Sequence, residues 1–173
     1  MDEKEQRKKR FLGELYSFEP GVMPIGRLDE KSEGLLLLTT DGKISDQINQ
    51  AGIEKEYWAQ VDGIITDEAV GLLSHGVTIG FGGRKYFTKP CRTSKITKEP
   101  SLPPPSEKIR IGAHRPSSWV RIVLTEGKFR QIRKMTAAVG FPTLRLIRVR
   151  IGNINLDKLQ PGEILPIENL QEL

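Results

Sequence analysis

The sequence has few of the residues that bind metal ions or form covalent cross-links. Among its 173 residues are one cysteine, Cys91, and two histidines, His75 and His114. A single thiol cannot form an internal disulfide, so the composition fits a reducing compartment. Structural zinc sites take four ligands, mostly cysteine and histidine. We therefore expect no metal site in this chain.

The chain also lacks a long apolar run. No stretch approaches the about 18 apolar residues of a membrane-spanning helix, and Met1–Arg10 is charged throughout, unlike a secretory signal segment. These absences predict a cytoplasmic protein without a membrane partner. The length predicts one domain over residues 19–173, preceded by an N-terminal tail at 1–18 that is either a genuine or a truncated start, and we expect a monomer.

What the sequence has in excess is positive charge. Its 27 Lys and Arg residues exceed its 22 Asp and Glu residues, giving a net charge of +5. The excess is concentrated between residues 108 and 150, where eleven basic residues face the single acid Glu126, and where Trp119 and Phe129 also lie. Basic residues interleaved with aromatic ones indicate a nucleic-acid partner. The alternative to a nucleic-acid site is that these charges only form a solvated surface, as charge runs without a sequence motif usually do.

The periodicity of the apolar residues predicts an α+β fold with a mixed, mostly antiparallel sheet. Strands are predicted at residues 35–38, 56–61, 77–83, 84–96, 117–125, 143–149 and 163–167, and helices at 44–49, 66–75 and 128–139. Cys91 lies in the fourth of these strands and is expected to be a small core residue. The proline-rich segment 100–106 is expected to be a surface loop, since proline does not continue a sheet or a helix.

The segment from Pro24 to Gly42 organises the rest of the chain. The four leucines at 35–38, bounded by Gly34 and by Asp41-Gly42, predict a short strand buried on both faces. Residues 24–34 are then a loop on a rigid support, and this loop carries Arg27 and Asp29. Taken alone, an aspartate in such a loop is more often a turn residue that bonds its own backbone.

Read as a string, Gly26-Arg27-Leu28-Asp29-x-x-Ser32-x-Gly34, with the leucines and Asp41-Gly42 that follow, resembles the signature loop of the RsuA-like pseudouridine synthases that modify ribosomal RNA. Segments 54–63, 73–80 and 125–135 resemble further motifs of this family in the expected order. The resemblance extends from Gly21 over nearly the whole chain. It is strongest to the short, RluE-like branch, which has no separate N-terminal RNA-binding module.

One departure from the family pattern concerns the start of the chain. Family members usually carry an upstream strand with a Lys-Pro-x-Gly turn, which this sequence does not match. Either the chain begins inside the domain, or its sheet is shorter.

The resemblance implies a pseudouridine synthase fold with a central active-site cleft, a ribosomal RNA substrate, with large-subunit RNA favoured, and no cofactor. It implies Asp29 as the catalytic nucleophile, Tyr57 as an active-site aromatic residue and Arg133 as the ionic partner of the aspartate. Taken singly, Tyr57 on a half-buried strand is more often a core residue, and Arg133 more often a surface charge or a phosphate contact. The residues expected to contact RNA are Arg27, Lys128, Arg130, Lys134, Arg145 and Arg148.

Two other functions fit the sequence. The first is an RNA-binding or ribosome-assembly protein that has this fold without effective catalysis. The second is a basic protein–protein adaptor, whose binding would be insensitive to salt. RNA binding would instead weaken steeply with salt, because it releases counterions.

Overall fold

The computed structural model describes residues 11–105, 111, 115–167 and 170. In this part of the chain the helices are α1 (Gly42–Gln50), α2 (Asp67–His75) and α3 (Gln131–Ala138), with a short 3₁₀ helix at Leu12–Glu14. The strands are β1 (Met23–Pro24), β2 (Glu33–Gly34), β3 (Leu38–Thr39), β4 (Lys55–Asp62), β5 (Thr78–Phe81), β6 (Arg84–Phe87), β7 (Arg92–Ile96), β8 (Ser117–Leu124), β9 (Thr143–Ile151) and β10 (Ile154–Asn155). None of the helices described is long and apolar enough to cross a membrane.

The described strands form one central sheet and two small ones, which confirms the predicted α+β class. The central sheet has the order β10-β9-β4-β8-β7, and its neighbours along this path are antiparallel. Strand β2 adds a short parallel pairing to β9, with Gly34 beside Arg148. The long strands β4, β8 and β9 are rich in β-branched and aromatic residues, which fit a pleated, half-buried surface. The pairs β1–β3 and β5–β6 form the two small sheets.

The main core lies on one face of the central sheet. Ala59 and Val61 of β4 and Val120 and Ile122 of β8 pack there against residues of α2 and α3, among them Met135. A second core cluster joins α1 to the leucine segment through Ile25, Leu35, Leu37, Ile48 and Ile151. Both ends of the loop that contains Arg27 and Asp29, at Ile25 and Leu35, are therefore anchored in this second cluster.

Side-chain caps mark the starts of two helices, and one of these caps was predicted. The Thr66 hydroxyl accepts a hydrogen bond from the Ala69 amide at the start of α2, at 3.1 Å, as predicted for a threonine cap. The Asp41 carboxylate caps α1 by accepting from the amides of Lys43 and Ile44. These caps fix where both helices begin.

Three strand predictions were wrong. The leucines at 35–38 do not form a strand of their own: β2 ends before Leu35 and β3 begins at Leu38. The predicted strand 84–96 is divided into β6 and β7, which belong to different sheets, since the segment between them contains a proline, which lacks the N–H for a ladder hydrogen bond. Cys91 lies in that break rather than in a strand, although it still packs against the main core. Residues 163–167 form no strand.

The predicted boundary of the third helix was also wrong. The helix was expected from Lys128, but α3 begins at Gln131, because Arg130 has a left-handed backbone with φ of 52°. Lys128–Arg130 is instead a loop. In the proline-rich segment, residues 101–105 are in neither helix nor strand, as expected, and Ser106 lies outside the described residues, as does most of the tail at 1–18.

Candidate active site

A cleft of about 100 Å³ opens at the face of the sheet that carries the main core. One wall is the loop after β1, which contributes Arg27, Asp29 and Ser32, and another is Tyr57 of β4. The segment between β8 and α3 closes the cleft with residues 126–130. Asp29 and Tyr57, which are 28 positions apart in the sequence, therefore share one cavity.

The loop that carries Asp29 is tied down at both ends. The Ile25 amide donates to the Leu37 carbonyl, and the Leu35 amide to the Arg148 carbonyl, at 2.8 and 2.9 Å. Inside the loop, the Ser32 amide bonds the Asp29 carbonyl at 2.8 Å and closes a turn. The Asp29 side chain has no hydrogen bond or ion pair to any of the described residues, so its carboxylate is available to a ligand.

Arg133 reaches the same loop from α3. Its guanidinium donates to the Lys31 carbonyl and, at 3.3 Å, to the Thr143 carbonyl. No ion pair within 4.0 Å joins it to Asp29 in the part of the chain that is described. Burial, followed by the charge of Arg130, lowers the pKa of Arg133, and the charges of Asp29 and Glu33 act in the opposite direction. Arg133 therefore interacts electrostatically with Asp29 while bonded two residues away from it.

The basic residues predicted to contact RNA fall into two groups. Arg27, Lys128 and Arg130 line the cleft, and Lys134 lies next to it, with its ammonium 5.4 Å from the centre of the Phe129 ring. These four cations therefore lie at or beside the cleft.

The second group, Arg145 and Arg148, is buried, and this corrects the expectation that both contact RNA. Each is only 4% exposed. Arg145 forms two hydrogen bonds with the Glu33 carboxylate, at 2.8 and 2.7 Å, and one with the Pro103 carbonyl. Arg148 donates to the carbonyls of Leu35 and Arg27. Both guanidinium groups are thus used inside the protein, out of reach of a phosphate on its surface. The sequence pattern showed their charge but not their burial.

The segment between β8 and α3 is held by Glu126, for which the sequence predicted a turn but none of these contacts. Its carboxylate accepts hydrogen bonds from the Tyr86 hydroxyl at 2.6 Å, the Lys89 amide at 3.0 Å and the Gln131 side chain. Gln131 in turn accepts from the Lys128 amide at 2.9 Å. The β5–β6 hairpin, the cleft wall and the start of α3 are therefore connected through one carboxylate.

Phe129 is a second residue that sequence reasoning undervalued. It lines the cleft, yet it is 59% exposed. A large aromatic side chain that remains in water beside a cleft is available to stack on a ligand. The signal in the sequence was its position between Lys128 and Arg130.

Cys91 shows no sign of being reactive. Burial raises the pKa of its thiol to about 11, so the thiol stays protonated near neutral pH. Its Sγ donates to the Leu73 carbonyl at 3.2 Å. Among the described residues, no group of three or more His, Cys, Asp or Glu side chains could hold a metal ion.

Comparisons with known proteins identify the family to which these features belong. The family model for RNA pseudouridylate synthase matches residues 1–138. The ribosomal large subunit pseudouridine synthase E of Xanthomonas axonopodis pv. citri (strain 306) is 40% identical over 161 residues, which cover 92% of this chain and 82% of that protein. The ribosomal large subunit pseudouridine synthase B of Yersinia pestis is 35% identical over 139 residues, covering 79% of this chain and 38% of that protein.

A solved structure supports the same assignment. A crystal structure of a pseudouridylate synthase superimposes with a TM-score of 0.69 at 26% identity, and the match covers 88% of this chain and 59% of that one. The fold, the family model and the relatives thus agree. The chain belongs to the RNA pseudouridylate synthase family and is an RNA pseudouridine synthase.

Proposed function

We propose that this chain isomerises a specific uridine of large-subunit ribosomal RNA to pseudouridine, with Asp29 as the nucleophile, Tyr57 as the active-site aromatic residue and Arg133 as the ionic partner of Asp29. The observation that carries the proposal is that Asp29 and Tyr57 line one cleft whose other residues include three cations. The names of the relatives support the choice of RNA. We expect the enzyme to act as a monomer in the cytoplasm.

The reaction conserves every atom of the uridine. The N1–C1′ bond breaks, the uracil turns, and a C5–C1′ bond forms, while a proton leaves C5 and another is added to N1. A carboxylate nucleophile divides this exchange into easier steps by forming a covalent intermediate. Such a nucleophile has to be accessible and held in place. Asp29 lines the cleft, and its loop is bonded at Ile25 and Leu35.

Tyr57 offers the uracil a flat apolar surface. Its half-buried ring forms a wall of the cleft, on the face of β4 that also carries Ala59. Stacking of a base on an aromatic ring contributes roughly 1–3 kcal/mol. The phenol hydroxyl is a group that can pass a proton between C5 and N1 of the uracil.

In this proposal Arg133 stabilises negative charge on the catalytic loop. Its guanidinium is bonded to the Lys31 carbonyl, in the loop that carries Asp29, and the proposed pairing requires the guanidinium to exchange that carbonyl for the Asp29 carboxylate. A guanidinium beside a carboxylate keeps it ionised, the form in which it is nucleophilic. The cations at the mouth, Arg27, Lys128 and Arg130, would hold the phosphates on either side of the extruded uridine.

The test is pseudouridine-specific chemical mapping of unmodified large-subunit ribosomal RNA after incubation with the protein. We expect one new modified position with the wild type and none with Asp29→Asn, because the amide is not nucleophilic. Asp46→Asn is the matched control, since Asp46 is exposed on α1, and it should behave as the wild type.

The other outcomes have distinct meanings. Modification by Asp29→Asn would exclude Asp29 as the nucleophile. If neither the wild type nor the variant modifies the RNA, yet both bind it in a salt-dependent manner, the chain is an RNA-binding protein with this fold and without effective catalysis.

A further inference from the structure

Arg148 lies between the two parts of the candidate site, which are the loop that carries Asp29 and the strand that carries Tyr57. It lies in the middle of β9, directly opposite Tyr57 of β4 and beside Gly34 of β2. Residues directly opposite each other in a sheet project to the same face. The side chain of Arg148 therefore extends on the face that carries Tyr57, next to the loop that carries Asp29.

The contacts of Arg148 enclose this loop. Its main-chain carbonyl accepts from the Leu35 amide at 2.9 Å, and its Nε donates back to the Leu35 carbonyl at 2.7 Å. Its Nη1 donates to the Arg27 carbonyl at 3.2 Å. One residue thus bonds the loop two positions before Asp29 and six positions after it.

The burial of Arg148 is unusual for a residue with only a structural role. It is 4% exposed, and within the described residues its guanidinium has no carboxylate partner. Its Nη2 is buried and has no hydrogen-bond partner there either. Burying a charge without a counterion is costly, and Arg145, three positions earlier on the same strand, avoids the cost by pairing with Glu33.

We infer that Arg148 is a positioning residue of the pseudouridine synthase reaction, which fixes the loop of Asp29 against the strand of Tyr57. The inference rests on the proposed roles of Asp29 and Tyr57. Lysine cannot replace arginine in this role, because its single ammonium nitrogen cannot span two carbonyls with the geometry of a planar guanidinium.

The test compares Arg148→Lys with the wild type in single-turnover reactions on the RNA and in RNA binding. We expect the rate constant to fall about 100-fold, the cost typical of a misplacement of about 1 Å in a catalytic group. We expect the dissociation constant for RNA to stay unchanged within error, since Arg148 does not reach the surface. Arg92→Lys is the matched control: Arg92 is an exposed arginine on β7 that forms two hydrogen bonds with the Glu54 carboxylate, and its replacement should leave the rate constant unchanged.

Hydrogen exchange gives a readout that does not depend on activity. Faster exchange of the Ser32 and Leu35 amides in Arg148→Lys, with the rest of the sheet protected, is expected if the side chain holds the loop. A rate constant equal to that of the wild type would overturn the inference. So would loss of the cooperative melting transition, because Arg148 would then be required for folding rather than for positioning.

Failure of the proposed function would be visible separately. If the wild type produces no pseudouridine, the proposed function fails, and the exchange rates alone decide the role of Arg148. Unchanged exchange at Ser32 and Leu35 would then show that the arginine does not hold the loop.

Discussion

Gly34 provides a sharp test of how closely the catalytic loop must approach the sheet. Its backbone has φ of 97°, and a Cβ built on it would lie 2.2 Å from the Arg148 carbonyl oxygen and 2.8 Å from the Arg148 nitrogen. Both atoms belong to the backbone of a central strand, so they cannot turn aside as a flexible side chain would. We predict that Gly34→Ala displaces the loop that carries Asp29.

The size of the effect follows from these distances. Ordinary contacts of a Cβ begin at 3.4 Å, so the loop has to retreat by at least 1.2 Å. A displacement of that size breaks the 2.9 Å hydrogen bond from Leu35 to Arg148, which contributes about 1 kcal/mol. The left-handed backbone costs an alanine about 1–2 kcal/mol more. A shift of about 1 Å at a catalytic group lowers the rate about 100-fold.

Gly21→Ala is the matched control. Gly21 has a similar φ of 87°, but a Cβ there would have no neighbour within 4 Å, so the variant has the backbone strain without the steric clash. Single-turnover rates and melting temperatures are measured for both. We expect Gly21→Ala to lower only the melting temperature, and Gly34→Ala to lower the rate as well. A wild-type rate for Gly34→Ala would refute the claim that this contact positions Asp29.

Two further predictions concern acid stability and substrate binding. The hydrogen bond from Arg121, assisted by Trp58, lowers the pKa of Glu56 from 4.5 to about 2. The ionised Glu56 carboxylate therefore stabilises the folded protein fully above pH 4.5, and this stabilisation is lost as the pH falls towards 2. In urea unfolding, the free energy of unfolding of Glu56→Gln should fall by about 2 kcal/mol less than that of the wild type as the pH is lowered from 4.5 towards 2. This difference is smaller than the full pKa shift implies, because the half-exposed Arg121 is screened by solvent. An unchanged pH dependence in Glu56→Gln would contradict this prediction. Phe129→Ala should raise the dissociation constant for RNA about 5- to 160-fold, as expected from the loss of about 1–3 kcal/mol of base stacking. Phe87→Ala, at a phenylalanine that is 63% exposed, should not raise it, and equal effects of both variants would exclude a stacking role for Phe129.

The long strands and the capped helices could be predicted from the sequence because their signals are local. β4, β8 and α2 have nearly the expected boundaries, and Thr66 caps α2 as predicted. Periodicity and capping depend on neighbours in the chain, which the sequence displays directly. The leucine segment was misjudged for the opposite reason: its burial was predicted, but its hydrogen-bond partner, Arg148, lies more than a hundred residues away.

The same distinction between local signals and contacts of distant residues explains which features of the candidate site the sequence could predict. The string around Asp29 marks the loop, and the sequence shows that Arg145 and Arg148 are charged. Whether such an arginine meets a phosphate or a carbonyl inside the protein depends on which face of β9 it occupies and on what covers that face. The pairings of Arg145 with Glu33 and of Arg148 with Leu35 span more than a hundred residues. Several arginines on one strand therefore predict a basic surface only when no other part of the protein packs over that face of the sheet.

Charged residues on the opposite face of the sheet also fix the orientation of Tyr57. The pairing of β4 with β9 is irregular between Glu56 and Tyr57, and a slip of one residue there would exchange the faces of these two side chains. Glu56 is bonded to Arg121 of β8 at 2.6 and 2.7 Å and to Arg150 of β9 at 3.3 Å. The net contribution of these partly buried ion pairs to stability is modest, but a slip would break their hydrogen bonds together and bury a carboxylate in the apolar core. The ion pairs of Glu56 thus make the slipped register unfavourable, and they keep the next residue, Tyr57, directed into the cleft.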